Sequence, residues 1–334
     1  MTGAITIRPG RDEDAEGFIA LIDGAWSEFP GCVLDVDAEL PELRALASHF
    51  AKEGGALWAA EAGGRLVGMV ATRPLRHDEA YEICRMYVAR ETRGTGLAQR
   101  LLALAEGWAR EAGAARMVLW TDTRFEAAHR FYEKHGYVRQ GAIRILDDLS
   151  KSLEFRYAKP ARGLVVEALD AAAAASAERR LSRILIDCVA AGGSVPFFPP
   201  LAPERARENW RKVSAEVAAG TRVLLAAWRE GALVGTVQLN LGVPENQPHR
   251  AEVENLLVDP TARGTGVGRA LMQRAEQAAR RLGRSLLTLQ TRADALAERL
   301  CRDLAWQEAG RVPGCALDAD RTPVDCVILW KRLG

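Results

Sequence analysis

The 334-residue chain has no apolar run approaching the roughly 18 residues that cross a membrane, so no membrane span is expected. Its opening, MTGAITIRPG, lacks the charged-then-apolar pattern of a secretory leader. It has no excess of either charge: 45 Lys and Arg against 44 Asp and Glu leave a formal +1. A dedicated nucleic-acid binder carries a strong basic face, so nucleic acid is not an expected partner. Six cysteines are scattered without C-x-x-C spacing, which argues against a zinc site or a disulfide framework. Reduced thiols, a cytoplasmic location and no bound metal are the expectation.

What is present is a repeat. VARETRGTGLAQRLL (Val88–Leu102) and VDPTARGTGVGRALM (Val258–Met272) share a valine, four residues, Arg-Gly-Thr-Gly and an amphipathic run. The match extends to both sides. GRLVGMVATRPL (Gly64–Leu75) aligns with GALVGTVQLNL (Gly231–Leu241), each a turn and an alternating strand. YEICRMYV (Tyr81–Val88) aligns with AEVENLLV (Ala251–Val258), placing Glu82 and Glu252 at one offset from the loop. Helices are predicted over Gly96–Gly113 and Gly266–Gly283, then buried strands in ARMVLWT (Ala115–Thr121) and RSLLTLQT (Arg284–Thr291). RFYEKHGY (Arg130–Tyr137) aligns with RLCRDLAW (Arg299–Trp306), a short helix leading into a strand.

A length of 334 residues suits two domains of about 150 each. The Pro- and Gly-punctuated AKPARG (Ala158–Gly163) marks the boundary, giving domains 1–160 and 161–334. The alanine run Ala171–Ala175 continues apolar through Leu181, Leu185 and Val189, so it opens a helix. Each half reads β-α-α-β-β-β-α-β-α-β-β, a mixed α/β domain with helices on both faces of a mostly antiparallel sheet.

A glycine turn between strand and helix suits phosphate, because backbone N–H groups and the positive helix end meet the anion. A phosphate-binding P-loop needs Lys-Ser or Lys-Thr after the loop, and neither copy has it. The dinucleotide fingerprint needs a third glycine where Gln99 and Arg269 stand. What remains is R-x-x-G-x-[GA]: Arg93, Gly96 and Ala98, and Arg263, Gly266 and Gly268.

On these motifs both halves resemble the GNAT family of N-acetyltransferases, over nearly the whole chain. The resemblance implies acetyl-CoA as co-substrate, its pyrophosphate on Arg93, Gly94, Thr95, Gly96, Leu97 and Ala98, and on Arg263, Gly264, Thr265, Gly266, Val267 and Gly268. It implies a splayed central strand pair, where Met86, Tyr87 and Val88, and Leu256, Leu257 and Val258, meet the pantetheine arm. Glu82 and Glu252 stand where members carry a general base; an ordinary strand glutamate facing solvent is the alternative. Tyr132 stands where members place the acid that protonates the departing thiolate, a role a phenol can fill. Packing is its alternative role. The second half has Cys301 in that place, and both halves lack a nearby asparagine that many members use, with Phe125 and Asp294 there. His129 and His135 are read as surface or packing residues.

Acceptor choice should lie where the copies diverge, in WSEFPGCVLDVD (Trp26–Asp37) and AAGGSVPFFPPL (Ala190–Leu201). The second half resembles tabtoxin-resistance-type acetyltransferases through GGSVPFFPPL, its loop segment and VPGCALDADRTPVDCVILWKRL. It departs from them at Cys301 and Gln290. The resemblance implies a small-molecule amine as acceptor, amino-acid-like or an antibiotic. Acetylation of a protein N-terminus or lysine is one alternative, and a coenzyme-binding scaffold with inactive sites is another. The expected assembly is a monomer acting as an internal pseudo-dimer or a homodimer, with both loops binding coenzyme and the first half catalysing.

Overall fold

Alternating apolar strands and short turns build one open sheet in each half, and the amphipathic segments between them supply helices for its two faces. The computed structural model describes residues 4–76 and 79–333. The chain forms two compact units, Met1–Phe131 with Arg139–Arg162, and Tyr132–Val138 with Gly163–Gly334.

The first sheet is built from β1 (Thr6–Pro9), β2 (Ala56–Ala62), β3 (Arg65–Pro74), β4 (Ala80–Val88), β5 (Arg116–Asp122), β6 (Val138–Arg139), β7 (Arg144–Ile145) and β8 (Leu153–Pro160). Their order is β1-β2-β3-β4-β5-β8-β6, with β7 on β8. The helices are α1 (Ala15–Trp26), α2 (Leu46–Lys52), α3 (Leu97–Glu111) and α4 (Glu126–Lys134). One face of the sheet packs Leu57, Ala59, Met69 and Ala71 against Phe18, Ile22, Leu46 and Phe50 of α1 and α2. On α3 the buried stripe is Leu97, Leu101, Leu102, Ala105 and Ala109, at the i, i+4, i+5, i+8 spacing of a helix face. Each such leucine contributes about 1.5–3 kcal/mol on burial, so the stripe anchors α3 and the loop that starts it.

The second unit repeats the plan with β9 (Leu164–Leu169), α5 (Ala171–Ser176), α6 (Glu178–Ala190), α7 (Pro203–Ala218), β10 (Arg222–Arg229), β11 (Ala232–Asn240), β12 (Arg250–Val258), α8 (Val267–Arg281), β13 (Leu286–Arg292), α9 (Leu296–Asp303), β14 (Gln307–Leu317) and β15 (Pro323–Arg332). Its strand order is β14-β15-β13-β12-β11-β10-β9. Here the sequence reading is corrected in one detail: the helix expected from Ala171 through Val189 is two helices, which meet at Ala177. Residues of α8 (Val267, Leu271, Met272, Ala275) bury one face of the sheet. Residues of α5–α7 (Ala173, Leu181, Leu185, Trp210) bury much of the other.

In both units every ladder is antiparallel except the central one, β4 with β5 and β12 with β13, which is parallel. A buried ion pair also recurs, tying the loop helix to the last long strand. Glu106 meets Lys159 at 2.9 Å, and Glu276 meets Lys331 at 2.7 Å.

Candidate active sites

After β4 and β12 the chain makes one 3-10 turn, Arg90–Thr92 or Pro260–Ala262, and then enters the glycine loop. Gly94 and Gly96 have φ of +80° and +85°; Gly264 and Gly266 have +77° and +88°. A side chain in that left-handed region costs roughly 1–2 kcal/mol, which is why the loop is written with glycine. Gly96 and Gly266 are the N-cap residues of α3 and α8, and no side chain caps either helix. The first-turn N–H groups of each helix, beginning at Leu97 and Val267, therefore have no helical partner and sit at the positive end of the dipole. A Cβ built at Gly94, Gly96 or Gly264 meets nothing within 4 Å, so open space lies before the cradle. A diphosphate such as that of acetyl-CoA fits this arrangement, which pairs donors with room.

Two sequence-predicted contributors have partners of their own. The Thr95 and Thr265 hydroxyls donate to the Thr92 and Ala262 carbonyls, both at 2.7 Å, and so pin the turn from inside. Arg93 is held bidentately by Glu28, at 2.6 and 2.8 Å. The sequence reading had assigned that guanidinium to phosphate. Arg263 has no ion pair among the described residues, and its guanidinium lies near Cys188, whose thiol is pushed up by burial while Arg263 opposes the shift.

Beside each loop the central strands part. The β4–β5 ladder ends at Ile83↔Leu119, and the β12–β13 ladder ends at Glu252↔Thr288. Met86, Tyr87 and Val88, and Leu256, Leu257 and Val258, lie past those points, paired on their other side with β3 or β11 where a partner is present. The splay follows from a bulge that the sequence reading missed. Arg85 and Asn255 have φ of +47° and +49°, at register shifts against β3 and β11. An extra residue bends the strand there and turns it away from its parallel neighbour. Tyr87 is further fixed by the Trp26 indole, which donates to its hydroxyl at 3.0 Å. The Val258 carbonyl accepts from the Cys188 thiol at 3.3 Å.

The paired glutamates sit at one register position in different company. Glu82 is buried, and Arg73 donates to its carboxylate at 2.9 Å while also holding Glu53 at 2.8 Å. Glu252 is half-exposed, with only a long contact to Arg250 at 3.6 Å. Its neighbour Glu254 is tied to Arg222 at 2.6 Å and to Asn240 at 2.9 Å.

Tyr132 lies on α4 and is buried, its ring edge-on to Tyr137 at 5.8 Å. The correspondence with Cys301 is structural as well as sequential. The Tyr137 N–H closes onto the Tyr132 carbonyl at 3.2 Å, and the Trp306 N–H onto the Cys301 carbonyl at 3.0 Å. Cys301 is fully enclosed, and burial first, then Glu276 and Glu298, push its thiol up to about 12. A thiol so hard to ionise is a poor donor to a leaving thiolate, so packing explains Cys301 better than acid catalysis. His129 packs between Phe155 and Tyr157, and its Nε2 lies 2.9 Å from the Asp122 carbonyl; burial lowers its basicity.

The second unit has a cleft of about 520 Å³ at the mouth of the splay. Its walls are the Gly192–Pro199 segment, β12 around Glu252, β13 from Gln290 to Arg292, and the turn after β14. This placement corrects the expectation that β13 is buried throughout, since Gln290 and Arg292 are exposed toward the cleft side of the strand. The cysteine reading is corrected as well. Cys315 and Cys326 are disulfide-bonded across β14 and β15, with Cα atoms 5.8 Å apart. The other four cysteines are free. Their separation of 11 residues carries no motif; the hairpin that joins them is a tertiary fact.

Glycines 68 and 235, passed over in the sequence as ordinary strand residues, let the loop helices approach the sheet. A Cβ at Gly235 would lie 2.8 Å from the Leu257 carbonyl and 3.1 Å from both Leu271 and Val267. At Gly68 it would meet Leu101 at 3.0 Å and Leu97 at 3.2 Å. Their recurrence at one place in both copies was the available signal.

The chain belongs to the Acetyltransferase (GNAT) family, whose model matches residues 18–137 and 192–301. Individual relatives match shorter stretches. Mouse N-acetyltransferase 8 is 31% identical over 98 residues, 28% of this chain and 43% of that protein. Rat N-acetylaspartate synthetase is 35% identical over 89 residues, 27% of this chain and 30% of that protein. Uncharacterized N-acetyltransferase YjgM of Escherichia coli is 35% identical over 100 residues, 29% of this chain and 59% of that protein. The chain therefore spans less than two thirds of the length of these relatives. Among solved structures, yncA, a putative acetyltransferase from Salmonella typhimurium with its cofactor acetyl-CoA, is 16% identical with a TM-score of 0.44, covering 52% of this chain and 95% of that one. Among the described residues, no helix is long and apolar enough to cross a membrane, and no cluster of His, Cys, Asp and Glu suits a metal ion.

Proposed function

We propose that the chain is an acetyl-CoA-dependent N-acetyltransferase for the amine of a small molecule, with residues 1–160 and 161–334 each forming one acetyltransferase domain. The observation that carries this reading is the uncapped helix N-terminus on a left-handed glycine turn beside a parted strand pair, present twice. The names of the matched relatives, N-acetyltransferase 8 and N-acetylaspartate synthetase, agree with transfer to nitrogen.

Bound acetyl-CoA supplies an activated acetyl thioester. The glycine loop holds the anionic end of such a donor, and the strand edges of Met86–Val88 and Leu256–Val258 offer backbone groups to its arm, as a sheet edge accepts a peptide. A backbone N–H in the splay stabilises the thioester oxygen as it gains charge. An alkyl ammonium is almost wholly protonated at neutral pH, so Glu82 or Glu252 accepts a proton, directly or through water. The N–C bond then forms as C–S breaks. Of the two protons the ammonium loses, one reaches solvent and one returns to the thiolate. Tyr132 supplies that proton in the first copy; the second, with Cys301 buried and un-ionised, leaves the task to water.

The same thiol favours one second reading, that the second copy binds coenzyme with slow turnover or none. The test is thiol release from acetyl-CoA by the intact chain across a panel of amines and amine-bearing peptides, paired with calorimetry of coenzyme binding. Release with small amines supports the proposal. Release with peptides alone favours protein acetylation, and binding without release makes the chain a coenzyme-binding scaffold.

A further inference from the structure

The cleft of the second unit contains one positive side chain whose charge the described residues leave unmatched. Among its charged lining groups, Glu254 is committed to Arg222 and Asn240. Asp318 accepts the backbone N–H groups of Asp320 and Thr322 at 3.2 and 3.0 Å, within its own turn. Asp320 is exposed on that turn. Glu252 has the 3.6 Å contact with Arg250. Arg292 is exposed and makes no ion pair among the described residues; its backbone N–H meets the Ser194 hydroxyl at 3.3 Å. Arginines 180, 222, 302 and 311 of the same unit all sit in ion pairs.

The register places these groups. Glu252 pairs with Thr288 on the parallel strand, and Ala251 and Leu287 beside them face the α8 core. Strand alternation then puts Glu252, Gln290 and Arg292 on the opposite, cleft side. Arg292 lies four residues beyond Thr288, about 13 Å along the strand at roughly 3.3 Å per residue. Two long side chains close much of that span. A carboxylate next to the splay and a guanidinium at the far side form a pair of opposite charges held apart by the sheet.

We infer that this cleft takes an acceptor bearing both an amine and a carboxylate, the amine at Glu252 and the carboxylate in the fork of Arg292. The inference rests on the N-acetyltransferase reading and narrows its substrate class. Arginine binds a carboxylate through two parallel hydrogen bonds, which rewards the free acid over its uncharged amide. The amine end is thereby set toward the parted strands, where the thioester lies in the proposed reaction.

The experiment compares the series from glycine to 6-aminohexanoate with the corresponding carboxamides, in the intact chain, by thiol release from acetyl-CoA. The parent should favour at least one free acid over its carboxamide by about tenfold or more in kcat/KM, carried mostly by KM. Arg292→Gln should bring that ratio to about one, and Arg292→Lys, which keeps the charge and loses the fork, should restore part of it. A parent with no acid preference, or a preference that survives Arg292→Gln, overturns the assignment. If no member of either series releases thiol, the acetyl-transfer reading fails for these amines. Calorimetry of the same compounds then decides the cleft separately. Acids binding more tightly than carboxamides to the parent, but not to Arg292→Gln, uphold it; equal binding refutes it.

Discussion

A buried phenol and a buried thiol stand at one turn of two matching helices, Tyr132 on α4 and Cys301 on α9. The phenol carries an ordinary acid that can serve a thiolate; the thiol has been driven out of range by its surroundings. In a chain whose second loop is blocked by Gly266→Val, Tyr132→Phe should lower kcat by about 10²-fold, the usual scale for a lost general acid, with coenzyme affinity kept. Unchanged turnover in that background would make Tyr132 a packing residue. For Cys301 the sign of the pH effect follows from its raised value, about 12 against 9.0 for a free thiol. Between those values the unfolded chain gives up the proton and the native chain keeps it, so native stability falls as pH rises through that window. Below it the contribution is constant. Denaturant melts from pH 8 to 11 should therefore show a shallower alkaline loss in Cys301→Ala than in the parent. Identical slopes would mean the thiol is not shielded.

At the scale of elements, the second β-strand of the repeat and the loop helix are pressed together at a glycine. Gly235→Ala would force its Cβ to 2.8 Å from the Leu257 carbonyl, a backbone atom that cannot swing aside. The expected cost is about 1–3 kcal/mol, the range for an overpacked core, read as a lower denaturation midpoint at unchanged slope. A midpoint equal to the parent's would show that α8 has slack. Such close approaches mark the limit of the sequence. The glycine loops, the strand–loop–helix order and the amphipathic stripe of α3 were legible because they are local and repeat at fixed offsets. The bulges at Arg85 and Asn255, the Glu28–Arg93 pair and the Cys315–Cys326 bond were not. Each joins residues through the register of the sheet or the return of the chain, and neither composition nor spacing encodes that return. The same holds for the cleft, whose walls come from four separated segments. Glu82 and Glu252 were found by their offset from the loop, but their unequal burial is a property of the neighbours Arg73 and Arg250.

For the whole molecule the central claim is that two copies of one domain give two coenzyme cradles in a single chain. The cradles match in their left-handed glycines and uncapped helices, and differ in that Glu28 already occupies the arginine of the first. A carboxylate at that position competes with phosphate, so the first cradle should be the weaker. The direct measurement is calorimetric titration of the intact chain with acetyl-CoA, alone and with Gly266→Val. The account predicts a stoichiometry of two in the parent and one in the variant, the remaining site being the weaker of the pair. A stoichiometry of one that Gly266→Val leaves untouched, or no binding at all, would contradict it.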